Sequence, residues 1–233
     1  MVTAGGEKTR AERLGRLRGL YAIVGDEDPV GRARAAIDGG ARVVQVRMKR
    51  TPSGQILSAA RAVVDLARGR ALVIVNDRAD LAMLAGADGV HLGDEDLPPA
   101  EARRIVGPAL LVGRTCRTQA EIRAAAGEGA DHVGFGPIFE SRSKALAVEP
   151  RGLGALREAV TASPVPVVAI GGIALETIGE VARTGAAAAA VIDDLLSRGD
   201  VRERAALLAL GFAEGERAGR AGMEAKREAG QEG

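Results

Sequence analysis

Short apolar runs alternate with amphipathic stretches along most of the chain. Eight of these runs have the length of β-strands, and several are continuously apolar rather than alternating with polar residues. Continuous apolar runs are typical of parallel strands that are covered on both faces. The pattern therefore predicts eight buried strands, at Leu20–Val24, Val43–Arg47, Ala71–Val75, Gly89–Leu92, Leu110–Gly113, His132–Gly136, Val167–Ile170 and Ala187–Ile192.

The stretches between these runs have the apolar spacing of amphipathic helices, and many end in Gly-Ala just before the next strand. Glycine at that position supplies the positive φ of a helix C-cap. Repeated strand–helix units predict an α/β protein, specifically a single-domain (β/α)8 TIM barrel over residues 19–212. A doubly wound open sheet is the lesser alternative, because no G-x-G-x-x-G turn follows the first strand.

The two ends of the chain differ from this repeating part. Residues 1–18 are a charged lead-in, for which we expect a short helix across the bottom of the barrel. Residues 213–233 are rich in glycine, alanine and charged residues. Terminal segments of this composition are often poorly ordered, so a flexible tail is predicted.

Composition narrows the classes of function. Aromatic residues make up only 2% of the 233 residues and the net charge is +1, which argues against nucleic-acid partners. A single cysteine, Cys116, indicates a reducing compartment. The N-terminus has no signal-peptide pattern and no apolar run approaches a membrane span. We expect a cytoplasmic protein without a membrane partner, and the alanine-rich exterior is compatible with a homo-oligomer.

Basic residues mark the end of the second strand. Alternation places Gln45, Arg47 and Lys49 on one face, pointing into the barrel or up at its rim. Cations at such positions are costly to desolvate without an anion. The alternative is an internal layer of salt bridges with acidic strand ends.

Acidic turns follow the third and fourth strands. Asp77 and Asp96 would both emerge at the carboxyl edge of the sheet, where TIM barrels hold their active sites. Either aspartate alone could be the N-cap of the following helix. Together, beside a basic strand, they favour a magnesium site for a phosphorylated substrate. His91 is interpreted as a packed strand residue rather than a ligand, because magnesium prefers oxygen.

The later strand ends offer hydrogen-bond donors. Thr115 could donate to a ligand, whereas Cys116 is expected to pack. Residues 137–150 form a long stretch that could close as a lid, with Ser141, Ser143 and Lys144 as donors to a diphosphate, although a solvated loop has the same composition. Gly171-Gly172 follows the seventh strand, where backbone N–H groups commonly bind phosphate.

These motifs together resemble the thiamine-phosphate synthase family from about Leu20 to Leu210. The residues that carry the resemblance are Gln45-x-Arg47-x-Lys49, Asn76-Asp77-Arg78-x-Asp80-Leu81-Ala82, Gly89-Val90-His91-Leu92-Gly93, Asp96-Leu97-Pro98, Gly134-x-Gly136-Pro137-Ile138-Phe139, Lys144 and Ala169-Ile170-Gly171-Gly172-Ile173.

The resemblance implies a transferase that joins hydroxymethylpyrimidine diphosphate to a thiazole phosphate, giving thiamine phosphate and pyrophosphate. It implies that the carbon–oxygen bond to the diphosphate breaks first and that magnesium assists the departure of pyrophosphate. By the same resemblance, Asp77 and Asp96 hold the metal, Arg47, Lys49 and Lys144 are the catalytic cations, and the substrates contact Gln45, Arg47, Lys49, Asn76, Thr115, Ser141, Ser143, Lys144, Gly172, Ile192 and Asp193.

The chain departs from the family pattern after the eighth strand. The family usually has Val-x-Ser there, with the serine at the thiazole phosphate, whereas this chain has Val191-Ile192-Asp193. An ionised Asp193 would repel a phosphate. Asp193 leaves two alternatives open: a non-catalytic sensor of thiamine precursors, and a synthase with an altered acceptor such as unphosphorylated thiazole. A thiazole tautomerase-like isomerase, related to the synthase in fold, is a further alternative.

Overall fold

The structure is a computed structural model that describes residues 9–140 and 149–229. Within these ranges the strands are β1 (Gly19–Val24), β2 (Val43–Val46), β3 (Leu72–Asn76), β4 (Gly89–Leu92), β5 (Leu111–Cys116), β6 (His132–Phe135), β7 (Val167–Ile170) and β8 (Ala188–Val191). The helices are α1 (Arg10–Gly15), α2 (Pro29–Asp38), α3 (Ser53–Ala67), α4 (Ala79–Ala85), α5 (Pro99–Val106), α6 (Gln119–Gly127), α7 (Gly152–Ala162), α8 (Leu175–Arg183), α9 (Asp193–Leu196) and α10 (Val201–Ala229).

The strands form a closed parallel barrel in sequence order, from β1 to β8. The barrel closes where β8 pairs with β1, with Gly19 opposite Ala188 and Ala22 opposite Val191. This confirms the predicted (β/α)8 TIM barrel.

Alternation along each strand divides the apolar residues into two layers. In β2, Val43 packs inside the barrel, whereas Val44 and Val46 pack outward against the surrounding helices. The inner cluster is small and includes Leu72, Leu111 and other strand residues. Both faces of the strands are covered, which explains why the apolar runs in the sequence are continuous.

The boundaries of β5 differ from the prediction. The apolar run suggested an end at Gly113, but β5 continues to Cys116 because its pairing with β6 continues. Thr115 lies opposite Gly134 and Cys116 opposite Phe135. Thr115 is therefore held by the sheet itself rather than by a loop.

The lead-in forms helix α1 at the amino-terminal end of the barrel. Leu14 and Leu17 pack against the inner cluster, and the Arg13 Nε atom lies 3.2 Å from the Asp88 Oδ1 atom. A capping box between Thr9 and Glu12 begins the helix. The part of the lead-in that the structure describes thus closes the barrel end opposite to the strands' carboxyl ends.

Helix α10 crosses the boundary expected at residue 213 and continues without a break through Ala229. Glycines of this segment do not end the helix, and two of them, Gly215 and Gly219, allow α10 to pack closely against α8. A Cβ atom on Gly215 would lie 2.2 Å from the carbonyl oxygen of Gly179. Among the described helices, none is long and apolar enough to span a lipid bilayer.

Candidate active site

A cavity of about 640 Å³ opens at the carboxyl ends of the barrel strands. Polar and glycine residues from opposite sides of the barrel line it. The predicted site residues on its wall are Gln45, Arg47, Lys49, Asn76, Asp77, Thr115, Gly172, Ile192 and Asp193. The closed barrel thus brings together residues that are far apart in the sequence.

Gln45 forms part of the cavity floor. Its side chain is buried, and its Nε2 atom donates a hydrogen bond to the Tyr21 hydroxyl oxygen over 2.9 Å. Burial raises the pKa of Tyr21, against the smaller opposing effect of the Gln45 hydrogen bond, so the phenol stays protonated at neutral pH. The amide of Gln45 is therefore held in a fixed orientation beneath the cavity.

The two cations of this strand end have different surroundings. The Lys49 Nζ atom lies 3.2 Å from the Asp77 Oδ2 atom, and the Lys49 side chain is half exposed. Arg47 lines the cavity and forms no ion pair with any other residue that the structure describes. The alternative of an internal salt-bridge layer accounts for Lys49 but not for Arg47.

Backbone geometry directs Asp77 to the cavity. Its φ angle is 63°, and its N–H group donates to the His91 carbonyl oxygen over 2.8 Å. Helix α4 begins after Arg78 and has no side-chain cap. The N-cap alternative therefore fails for Asp77.

Asp96 is fixed by its own turn. Its Oδ2 atom accepts a hydrogen bond of 2.6 Å from the Gly93 N–H group. Helix α5 has Pro98 at its N-cap position and no side-chain cap, so Asp96 does not cap it. Neither aspartate is therefore a helix N-cap, which was the alternative to metal binding.

The carboxyl groups of Asp77 and Asp96 interact with each other. The pKa of Asp77 is raised, chiefly by burial and then by the neighbouring Asp96 carboxyl, while Lys49 opposes the shift. Two carboxylates held together in this way repel each other until a cation lies between or beside them. Lys49 provides one positive charge at this place.

Thr115 and His91 are joined across neighbouring strands. The His91 Nε2 atom lies 3.0 Å from the Thr115 Oγ1 atom. His91 lies in β4 as predicted, and its ring also borders the cavity. The hydroxyl of Thr115 is therefore oriented at the cavity wall.

A glycine turn forms the opposite side of the cavity, after β7. Gly171 and Gly172 have φ angles of 89° and 66°, which favour glycine. A Cβ atom on Gly172 would lie 2.3 Å from the Glu140 carbonyl oxygen. Only glycine fits this close approach, which leaves the backbone of the turn exposed to the cavity.

Ile192 and Asp193 line the cavity beside this turn. Asp193 is exposed and is the first residue of the short helix α9. Asp193 thus lines the same cavity as the glycine turn, after the strand that pairs with β7.

Ser141, Ser143 and Lys144 lie outside the described residues, as does most of the predicted lid at 137–150. The start of this loop is anchored on β7. The Ile138 N–H group donates to the Ile170 carbonyl oxygen, and the Phe139 N–H group donates to that of Gly171. Pro137 and Glu140 also line the cavity.

The β5 side of the rim carries an ion pair between Arg117 and Asp94. Next to it, Cys116 is buried, and burial raises the pKa of its thiol to about 12. The thiol is protonated at neutral pH, which agrees with the prediction that Cys116 packs. Thr118 caps α6 by accepting a hydrogen bond from the Glu121 N–H group, and the Glu121 carboxylate accepts one from the Arg117 N–H group.

Comparison with known proteins identifies the family of the chain. A family model described as thiamine monophosphate synthase matches residues 20–195. The thiamine-phosphate synthase of Anaeromyxobacter dehalogenans (strain 2CP-C) is 64% identical over 205 residues, covering 88% of this chain and 92% of that protein. The chain belongs to the thiamine-phosphate synthase family.

Two further relatives agree with this membership. The thiamine-phosphate synthase of Myxococcus xanthus (strain DK1622) is 47% identical over 204 residues, which cover 85% of this chain and 94% of the relative. A solved thiamine phosphate pyrophosphorylase from Pyrococcus furiosus superimposes with a TM-score of 0.79 at 35% identity, covering 87% of this chain and 98% of that one. The chain is therefore a transferase of thiamine biosynthesis, and none of these relatives supports the isomerase, sensor or altered-acceptor alternatives.

Some residues of this family member's cavity were not singled out from the sequence. Tyr21, Ser197 and Arg198 line it as well. Tyr21 could have been found from its alternation with Ile23 on the first strand. Ser197 and Arg198 gave no comparable signal, because α9 has only four residues and too short an apolar pattern to predict.

Proposed function

We propose that the cavity binds hydroxymethylpyrimidine diphosphate on its β2–β3 side and a thiazole phosphate on its β7–β8 side. The observation that carries this proposal is the separation of polar groups within one cavity. Arg47, Lys49 and Asp77 lie at one side, and the Gly171-Gly172 turn lies at the other. This arrangement suits two phosphorylated substrates whose reacting atoms meet in the middle.

The acidic pair fits magnesium. Magnesium takes oxygen ligands and commonly combines one or two carboxylates with substrate phosphates and waters. Among the described residues, no group of three or more His, Cys, Asp or Glu side chains could hold a metal ion. Asp77 and Asp96 would therefore supply two carboxylates, and the diphosphate would complete the site. When bound, magnesium would neutralise negative charge on the diphosphate.

The cations of the chain would stabilise the leaving group. We infer a dissociative reaction, in which the carbon–oxygen bond to the diphosphate breaks before the new bond forms. Charge then develops on the departing pyrophosphate, where Arg47 and Lys49 would donate hydrogen bonds to its oxygens. Lys144 is proposed as a third cation on the lid.

The remaining residues would orient the two substrates. Gln45 and Asn76 would bind the pyrimidine diphosphate together with Arg47 and Lys49, and the hydroxyl of Thr115 would donate to the same substrate. Gly172, Ile192 and Asp193 would contact the thiazole phosphate, and Ser141 and Ser143 would be further donors to the diphosphate from the lid. Holding the thiazole nitrogen close to the pyrimidine methylene carbon would then favour attack.

The reaction can be tested with the purified chain, magnesium, the pyrimidine diphosphate and either thiazole phosphate or free thiazole. We expect thiamine phosphate and pyrophosphate to form in equal amounts from thiazole phosphate, and formation to stop when a chelator removes the metal. Formation of product from free thiazole alone would contradict the proposed acceptor. Undiminished formation in the chelator would contradict the proposed role of magnesium.

A further inference from the structure

The proposed acceptor site contains an uncompensated negative charge. Asp193 is exposed on the cavity wall beside Gly172, and it forms no ion pair within residues 9–140 and 149–229. A phosphate group bound there carries further negative charge, and like charges a few ångströms apart repel each other. Binding of a phosphate at this side of the barrel therefore requires a cation nearby.

The short helix that carries Asp193 is fixed to the glycine turn. Asp194, the next residue, is buried, and its Oδ2 atom accepts a hydrogen bond of 3.1 Å from the Leu175 N–H group at the start of α8. Leu175 follows the turn that contains Gly171 and Gly172. The turn and α9 therefore form one framework.

Arg204 neutralises Asp194 from helix α10. Its Nε atom donates to the Asp194 Oδ2 atom over 2.9 Å, and its Nη2 atom donates to Oδ1 over 2.6 Å. This two-point contact is the strong geometry for arginine and carboxylate. Asp194 thus has its charge balanced without help from any other arginine.

Arg198 is held only loosely by the same carboxylate. Its Nε atom lies 4.0 Å from the Asp194 Oδ1 atom, and its side chain is 69% exposed. Exposed ion pairs of this kind contribute little to stability. The guanidinium of Arg198 is therefore available to a ligand in the cavity that it lines.

The other cations of the cavity wall lie on the diphosphate side or are paired with an aspartate. Arg47 and Lys49 lie at the end of β2, on the proposed diphosphate side, and Arg117 is paired with Asp94. Among the described residues that line the cavity, Arg198 is the one cation on the β7–β8 side. Ser197, next to it, adds a hydroxyl one helical turn beyond Asp193.

We propose that Arg198, assisted by Ser197, binds the phosphate group of the acceptor substrate and offsets the charge of Asp193. This inference rests on the proposed function, because it assumes a thiazole phosphate at the β7–β8 side. Ser197 would supply a hydroxyl to the phosphate and Arg198 a cation, and both residues follow Asp193 within the same short segment. It also makes Arg198 a determinant of specificity for a phosphorylated acceptor over a free one.

The test compares steady-state kinetics of Arg198→Gln, Arg198→Lys and the control Arg202→Gln. Arg202 is exposed and does not line the cavity, so its replacement removes the same charge without touching the site. Loss of a charged hydrogen-bond donor to phosphate should raise the KM for thiazole phosphate about tenfold or more in Arg198→Gln. Arg198→Lys keeps the charge and should retain most of the affinity, and the control should match the parent chain.

Further kinetic constants separate phosphate binding from a general disturbance. In Arg198→Gln the KM for the pyrimidine diphosphate should stay within about twofold of the parent value. Asp193→Ser should lower the KM for thiazole phosphate, because it removes the repulsion. An equal rise in both KM values, or an unchanged KM for thiazole phosphate in Arg198→Gln, would overturn the proposal.

Calorimetric titration of thiazole phosphate in the presence of magnesium and pyrophosphate distinguishes this inference from the proposed function. Binding to the parent chain that weakens in Arg198→Gln supports the assignment of Arg198, even if no thiamine phosphate forms and the proposed reaction fails. Binding of equal strength to both proteins overturns the assignment of Arg198 while leaving the reaction intact. Absence of binding to the parent chain overturns both.

Discussion

Asp77 occupies its position through its backbone rather than through a cap. Its left-handed φ angle and the hydrogen bond from its N–H group to His91 turn the carboxyl towards Asp96 and Lys49. The sequence suggested both a cap and a ligand for this residue, since aspartate serves both purposes after a strand. The residue at which α4 begins decides between a cap and a ligand, because the N-cap is Arg78 and not Asp77. Sequence patterns seldom define a helix boundary to one residue.

Replacement of Asp77 should remove both activity and its dependence on magnesium. We expect Asp77→Asn to lower kcat about a hundredfold or more, because one of two proposed metal ligands is lost and charge on the leaving group is less well neutralised. Asp80→Asn is the matched control, since Asp80 lies three residues later, pairs with Arg78 and does not line the cavity. An Asp77→Asn variant that is active at the same magnesium concentration as the parent chain would contradict the metal site.

His132 should make the fold sensitive to acid. It is fully buried, its ring nitrogens have no hydrogen-bond partner among the described residues, and burial lowers its pKa from 6.5 to about 4. The unfolded chain therefore binds a proton at a higher pH than the folded chain does. Stability attributable to this residue is complete above pH 6.5 and is lost as the pH falls towards 4, by about 3 kcal/mol in all.

Urea unfolding of His132→Met at pH 7 and at pH 4.5 tests this contribution. Methionine is flexible and apolar, so it can fill the same space without titrating. We expect the free energy of unfolding to fall less between the two pH values in the variant than in the parent chain. Equal losses in both proteins would show that His132 does not contribute.

At the scale of elements, α10 shows how composition can mislead. Its glycines and charges predicted a flexible tail, but Gly215 and Gly219 lie against α8, where a Cβ atom would meet backbone atoms of Gly179 and Arg183. Helix propensity describes only the intrinsic destabilisation of a helix by glycine, about 1 kcal/mol per residue. It does not include the stabilisation gained when two helices pack closely at that glycine. The strands were predicted more accurately, because burial on both faces leaves a continuous apolar signal.

Gly215→Ala should destabilise the protein although alanine is the better helix former. The new Cβ atom would lie 2.2 Å from the Gly179 carbonyl oxygen, so α10 must move away from α8. We expect a loss of about 1–3 kcal/mol in the free energy of unfolding, measured with urea. Gly222→Ala is the control in the same helix, because nothing lies within 4 Å of its Cβ position. It should leave stability unchanged or raise it, and a loss equal to that of Gly215→Ala would contradict the packing explanation.

For the whole molecule, barrel closure determines which predicted residues meet. The recurring strands predicted the TIM barrel, and the barrel places the ends of β2, β3, β7 and β8 around one cavity. Residues that belong to long motifs, such as Gln45 and Gly172, could be found from the sequence. Tyr21 could also have been found from its alternation with Ile23 on the first strand. Arg198 could not be, because it follows a helix of only four residues, which is too short to give an apolar pattern.

A crystal structure with magnesium, pyrophosphate and thiamine phosphate tests the proposed division of the cavity most directly. We predict pyrophosphate and magnesium beside Arg47, Lys49, Asp77 and Asp96, and the phosphate group of thiamine phosphate beside Gly172 and Asp193. The thiazole and pyrimidine rings should lie between these two sides. Pyrophosphate at the glycine turn, or magnesium away from Asp77 and Asp96, would contradict the proposed arrangement.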